Sequence, residues 1–118
     1  MVTMQPNRPK VEVLWWQGCP STPRALAELE RVMSELGLDP TAIEVREVDS
    51  DERAHAERFH GSPTIRIDGR DVQPPAPAEP IALACRIYRL RDGRISPTPD
   101  PEDLAEALSS AIAVSERR

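Results

Sequence analysis

The stretch "VEVLWWQGCPSTPRALAELERVMSELG", residues 11–37, decides the fold. Its opening "VEVLWW" is a run of β-branched, leucine and tryptophan residues, the composition of a buried central strand. After "QGCP", the apolar residues Leu26, Leu29, Met33 and Leu36 recur at helical spacing with Ala25 and Val32 beside them, so a helix runs over roughly 22–36. Pro23 fits the first helical turn, where its missing N–H would have had no partner, and Gly37 marks the stop. Strand, turn and helix are contiguous, and Cys19 falls in the turn. A thiol there meets unpaired backbone N–H groups and the positive end of the helix dipole, both of which favour thiolate over thiol.

Outward from this unit, "AIEVREVDS", residues 42–50, alternates Ile43, Val45 and Val48 with charged residues and reads as a second strand. "SDERAHAERFHG" reads as a short helix, with Asp49, Ser50 or Asp51 as N-cap, acids in the first turn and Gly61 at the exit. "SPTIRIDGRDV", residues 62–72, holds two strands joined by Asp68-Gly69, the favoured pair for a tight hairpin. The four prolines of "QPPAPAEP" remove backbone donors and confine that segment to a surface loop. "CRIYRL" and "RIS" flank "RDG" as a second, shorter hairpin. In the last helix Asp100 is the N-cap, Pro101 the first helical residue, and Leu104, Ala107, Leu108, Ala111 and Ile112 form an apolar stripe.

The order is β-α-β-α-β-β-α. Crossovers of this kind are right-handed and place helices on the sheet faces, so the first two strands are expected to be parallel. The expected fold class is α/β, a four-stranded mixed sheet flanked by three helices, with the proline loop and the extra hairpin inserted before the last helix. Residues 1–10 read as a flexible lead-in, 11–114 as one domain, and 115–118 as a tail.

With 118 residues there is room for one ordinary domain. A formal net charge of −5 argues against nucleic-acid and anionic-membrane surfaces, which attract basic patches. No stretch approaches the ~18 apolar residues of a membrane span, and the start "MVTMQPNRPK" lacks an apolar core behind its charges, so a cytoplasmic location is expected. Two cysteines do not make a secreted disulfide framework, and free thiols are the default in a reducing compartment. No cofactor is called for.

The element order, the cysteine in "GCPST" and the Ser-Pro-Thr step of "GSPTIRIDG" together resemble the thioredoxin and glutaredoxin superfamily over about residues 11–72 and the last helix. More narrowly the chain is similar to small bacterial thioredoxin-like proteins with a Gly-Cys-Pro turn, some of which carry names linking them to organomercurial (alkylmercury) lyase. The resemblance implies that Cys19 is the redox cysteine and that Pro63 is cis and lies against it, with the backbone of Ser62 turned toward a thiol ligand or an extended peptide. It also implies a departure: the position three after Cys19, which holds a second cysteine in dithiol members, is Thr22. A hydroxyl cannot form a disulfide, so the adduct on Cys19 is resolved by an external thiol such as glutathione or by Cys85.

Cys19, Thr22 and Cys85 are thus the candidates for the chemistry, and Trp16, Pro20, Ser62 and Pro63 for substrate binding. Each has a plainer reading. Cys19 could be a buried structural thiol, and Cys85, among Leu83, Ala84 and Ile87, a core residue. Trp15 and Trp16 point to opposite strand faces, one into the core and one toward the site mouth. Tyr88 reads as strand packing, His55 and His60 as solvated, Asp49, Asp51 and Glu52 as capping residues. The arginines Arg66, Arg70, Arg86, Arg89, Arg91 and Arg94 either solvate outer strand faces or converge near Cys19 and bind a carboxylate-bearing thiol. The leading expectation is thiol-disulfide exchange or thiol-adduct chemistry with a thiol or disulfide partner. The alternatives are a soft-metal site, for mercury or another thiophile, built from Cys19 and Cys85, and a redox-inert scaffold; arsenate reduction ranks below them.

Overall fold

The computed structural model describes residues 9–116; the expected lead-in up to residue 8 and the last two residues of the tail lie outside them. The opening strand β1 spans Val11–Trp15, and helix α1 spans Thr22–Glu35, with Leu36 as its C-cap and Gly37 just beyond at φ 78°. A 3-10 turn over Pro40–Ala42 leads into β2, Glu44–Glu47, which is shorter than the expected strand because that turn takes its first residues. Then follow α2 (Asp51–Ala56), the hairpin β3 (Thr64–Ile67) and β4 (Arg70–Asp71), a second hairpin β5 (Tyr88–Arg89) and β6 (Ile95–Ser96), and α3 (Pro101–Glu116).

The main sheet has the order β2-β1-β3-β4. β1 pairs in parallel with β2, Val13 facing Val45, and antiparallel with β3, where Val13 faces Ile65, so the sheet is mixed as expected. Asp68 and Gly69 make the β3–β4 turn with φ of 52° and 81°, the positive angles such a two-residue hairpin requires. Alternation along β1 divides the core. Val11 and Val13, with Ile65 and Ile67 of β3, pack under Ala25, Leu29, Val32 and Met33 of α1 and Leu104 and Leu108 of α3. Leu14 points the other way and packs with Val48, Ala54 of α2 and Phe59. The result is an α/β molecule with a four-stranded sheet between α1 and α3 on one face and α2 on the other. Neither tryptophan is fully buried; both Trp15 and Trp16 are half-buried.

Helix α2 departs from its expected exit. Ser50 caps its start by accepting from the Arg53 N–H at 3.1 Å, but the helix stops at Ala56, well before Gly61. Arg58 takes the left-handed conformation (φ 52°), and the N–H groups of Phe59 and Arg58 close onto the carbonyls of Ala54 and His55. That is the hydrogen-bond pattern of a Schellman end with arginine in glycine's usual place, sealed by Phe59 packing on Ala54. Gly61 is thereby released for a different task at the site. No described helix is long and apolar enough to cross a membrane.

Candidate functional site

Cys19 sits in a tight turn, its N–H donating to the Trp16 carbonyl at 3.0 Å. Gly18 lets the Trp16 ring lie against the turn, since a side chain there would begin 2.3 Å from the ring and displace it. Trp16 thus packs beneath the turn and against the Leu14, Val48, Ala54 and Phe59 cluster, beside Ile81 and Leu83. Pro20 is exposed, and Ser21 occupies the N-cap of α1 without making a side-chain cap. Its N–H and hydroxyl favour the Cys19 thiolate and pull the Cys19 pKa down.

Across from the turn, the Ser62–Pro63 peptide is cis, as the family resemblance implied. The Cys19 thiol donates to the Ser62 carbonyl at 3.2 Å. The Ser62 hydroxyl accepts from the Trp16 N–H at 2.9 Å and lies 3.3 Å from the Thr22 hydroxyl. Ser62, Pro63 and Thr22 are all buried, so Thr22 reaches the sulfur through Ser62. Tyr88, fully buried, donates its hydroxyl to the Pro63 carbonyl. Burial pushes the Tyr88 phenol above its ordinary range against the pull of the Arg86 guanidinium, which keeps the hydroxyl protonated as a donor.

Cys85 arrives from the proline loop. The segment 82–86 runs beside 59–62: the Ala82 N–H bonds the Phe59 carbonyl at 3.1 Å, the Ser62 N–H bonds the Ala84 carbonyl at 2.7 Å, and the Arg86 N–H bonds the Ser62 carbonyl at 2.8 Å. Ser62 and Cys85 are paired as neighbours in a parallel bridge. Two features hold this approach. Gly61, at φ 122°, has no Cβ, and one placed there would stand 3.1 Å from the Arg86 Cα. Arg86 itself is buried, forming a two-pronged ion pair with Asp71 at 2.7 and 2.9 Å and reaching Thr64 Oγ1 at 3.3 Å and the Gln73 carbonyl. Its guanidinium also stands 4.6 Å from the centroid of the Tyr88 ring.

The two thiols meet but differ. Both are free, Cys19 buried at 5% exposure and Cys85 exposed. Burial pushes the Cys19 thiol up, but hydrogen bonds from the Ser21 N–H, the Cys85 thiol, and the Ser62 and Ser21 hydroxyls together outweigh it, and its pKa falls below the ordinary value. Cys85 is pushed up, first by its hydrogen bond to Cys19 and then by burial and by the Cys19 charge. The pair therefore loses its first proton as Cys19 thiolate, with Cys85 retaining its own and donating.

The arrangement brings together Cys19, Thr22, Ser62, Pro63 and Cys85, with Trp16 and Pro20 forming the turn. Cys85 is not core packing. Of the arginines, Arg86 is neither a solvated surface residue nor a ligand for an incoming carboxylate, since Asp71 already occupies it. Arg66 is tied to Glu57, and Arg91 to Asp103 and Glu106. Reading the sequence did not single out Ser21 or Asp71, and it gave Gly61 only the task of ending the second helix. Ser21 carried a signal, a hydroxyl residue at the helix start; Asp71 carried none, because its partner lies across a 15-residue separation that no local pattern spans.

A cleft of about 390 Å³ opens on the outer side of Cys85, lined among others by His60, Gln73, Glu79, Ile87 and Arg89. Gln73 clasps one wall, its side-chain amide donating to the Arg89 carbonyl and accepting from the Arg89 N–H at 3.0 and 2.9 Å. Among the described residues no group of three or more His, Cys, Asp or Glu side chains could hold a metal ion. Comparisons of the chain with protein-family models, with curated proteins and with solved structures found no match.

Proposed function

We propose that this protein is a thioredoxin-like thiol protein in which Cys19 and Cys85 form one redox couple that exchanges with thiols and disulfides. The observation that carries this reading is that both cysteines converge on Ser62, the Cys19 thiol bonding its carbonyl at 3.2 Å and Cys85 pairing with it in the parallel bridge. Cys85 thereby supplies the second sulfur that the Thr22 position lacks. In the oxidising direction the dithiol gives two electrons and two protons to a partner disulfide and closes a Cys19–Cys85 bond. In the reducing direction two partner thiols reopen it and leave as a disulfide. The element order, the Gly-Cys-Pro turn and cis Pro63 support the thioredoxin-like assignment. A cytoplasmic location and freedom from nucleic acid and membranes belong to the same reading.

The test is mild oxidation with a small disulfide, followed by alkylation and intact-mass measurement. The expected product is a monomer two hydrogens lighter that takes up no alkylating agent, with one peptide pair linking Cys19 to Cys85. A product that stays fully alkylatable, or carries only intermolecular bonds, would refute the couple. Two cysteines brought to one residue, Ser62, are also the soft donor set that a thiophilic cation selects. That second reading requires Cys85→Ser to weaken mercuric-ion binding by orders of magnitude, and equal affinity would eliminate it.

A further inference from the structure

We propose that Cys85, and not Cys19, is the sulfur that exchanges with the outside partner, and that this partner is a carboxylate-bearing low-molecular-weight thiol or disulfide seated in the cleft beside Cys85. The inference rests on the two-cysteine reading above and reverses the order of events the sequence suggested.

Access comes first. Cys19 is 5% exposed, its thiol turned in to the Ser62 carbonyl at 3.2 Å, so of the two sulfurs it is the less accessible to a disulfide from solution. Cys85 is exposed and faces a cleft of about 390 Å³, within the range of pockets that take small molecules.

Backbone occupancy decides the partner's size. An extended polypeptide would pair with the N–H and carbonyl of Ser62. Both are already taken by this chain's own Ala84 and Arg86, at 2.7 and 2.8 Å. The segment carrying Cys85 thus lies where a peptide would lie, locked by Arg86 on Asp71 and by the close pass at Gly61. What remains open is the cleft. On its wall Arg89, opposite in charge to Glu79 of the same lining, makes one side-chain hydrogen bond, to the Gly93 carbonyl at 3.1 Å, and no ion pair among the described residues. Ile87, 69% exposed, supplies an apolar wall. A small thiol carrying a carboxylate fits that combination.

The chemistry balances in both directions. On the oxidised protein an incoming thiolate attacks the Cys85 sulfur. The bond to the partner sulfur forms, the Cys19–Cys85 bond breaks, and its electron pair leaves on Cys19. Cys19 is the better leaving group because the Ser21 and Ser62 hydrogen bonds stabilise its anion. A second partner thiolate attacks the partner sulfur of the adduct, releasing the partner's disulfide, and Cys85 takes a proton from solvent. Two thiols are oxidised, and the protein disulfide is reduced to a dithiol. In the reverse direction Cys85 gives its proton to solvent and its thiolate attacks a small disulfide, forming the Cys85 adduct and expelling one partner thiolate; the Cys19 thiolate then attacks the Cys85 sulfur, closing the Cys19–Cys85 bond and expelling the second partner thiolate.

The experiment uses Cys19→Ser and Cys85→Ser variants, with alanine versions if a serine variant fails to fold, and two probes: oxidised glutathione, which carries carboxylates, and bis(2-hydroxyethyl) disulfide, which does not. Adduct formation is followed by intact mass across pH and expressed per thiolate. The lone Cys85 is expected to react at least ~10-fold faster than the lone Cys19. Equal rates, or a faster Cys19, overturn the inference. On the oxidised wild type, the adduct trapped with glutathione must map to Cys85; an adduct on Cys19 overturns the inference while leaving the redox couple intact. Absence of any Cys19–Cys85 bond in the wild type refutes the couple instead. Arg89→Ala is expected to slow oxidised glutathione several-fold with no change for bis(2-hydroxyethyl) disulfide, and a parallel change for both removes the carboxylate subsite. Insulin serves as the polypeptide disulfide; its reduction at the rate of oxidised glutathione would overturn the size argument.

Discussion

Asp71→Ala is the most informative single perturbation, because the placement of Cys85 hangs on one buried ion pair. The Arg86 side chain is 6% exposed and that of Asp71 15%, and the two bonds between them measure 2.7 and 2.9 Å. Truncating the carboxylate strands a guanidinium away from water, and breaking a buried pair in this way costs about 3–5 kcal/mol. Thr64 Oγ1 and the Gln73 carbonyl still accept from Arg86, so we expect the low end, ~3 kcal/mol. A chain of 118 residues has a total stability of roughly 6–18 kcal/mol, so the variant still folds. With a urea m-value of ~1.5–2 kcal/mol/M, the unfolding midpoint falls by roughly 1.5–2 M. The reasoning makes a sharper demand on the double variant Asp71→Ala with Arg86→Met. Removing both partners leaves no orphan charge, so the double variant must be more stable than Asp71→Ala alone. A single-variant loss under ~1 kcal/mol, or a double variant less stable than the single, would refute the argument.

The remaining expectations concern the neighbours of the two sulfurs. Cys85→Ala removes a donor from the Cys19 thiolate and should raise the Cys19 pKa toward its ordinary value of 9.0; ultraviolet thiolate absorbance against pH checks this, and an unchanged titration counts against the coupling. Because the Cys19 pKa is lower folded than unfolded, the unfolded chain binds more protons between the two values, and stability of the reduced protein rises with pH there. That contribution is complete above 9.0 and lost as pH falls through the folded value, while Cys85, whose pKa is raised, stays protonated below 9.0 in both states. Urea midpoints of the reduced wild type against Cys19→Ala over this window should diverge with rising pH, and parallel curves would be inconsistent. Tyr88→Phe leaves the buried Pro63 carbonyl without its donor and should cost about 1–3 kcal/mol by the same measurement; a neutral result removes Tyr88 from the site's support. Gly61→Ala combines a φ of 122° with a Cβ 3.1 Å from Arg86 and should cost about 2–3 kcal/mol, with alkylation of Cys19 becoming faster as the Cys85 segment is pushed away. Wild-type stability and alkylation rate would show that the close pass is dispensable.

Local patterns carried much of the fold. The strand-turn-helix of residues 11–37, the Asp68-Gly69 hairpin and the Asp100-Pro101 helix start each depend on neighbouring residues whose preferences agree, and each is found where those preferences place it. Helix α2 shows where local reading falters. Gly61 is the usual stop signal, yet Arg58 adopts the left-handed turn because Phe59 must reach Ala54 and the core. The packing gain there overrides the modest cost of a side chain at positive φ.

The sequence by itself determined the α/β order, the position of Cys19 ahead of α1 and the missing sulfur at Thr22. Each of these depends on residues within a few positions of one another, where spacing and chemistry can be read directly. Only the tertiary structure decided where Cys85 lies. Its meeting with Cys19 requires the proline loop to return the chain past Ser62, a bare glycine at 61 to admit it, and Asp71 to hold Arg86. These contacts join distant segments through burial and electrostatics, and they turn two separate cysteines into a pair with one buried, easily ionised sulfur and one exposed, protonated sulfur.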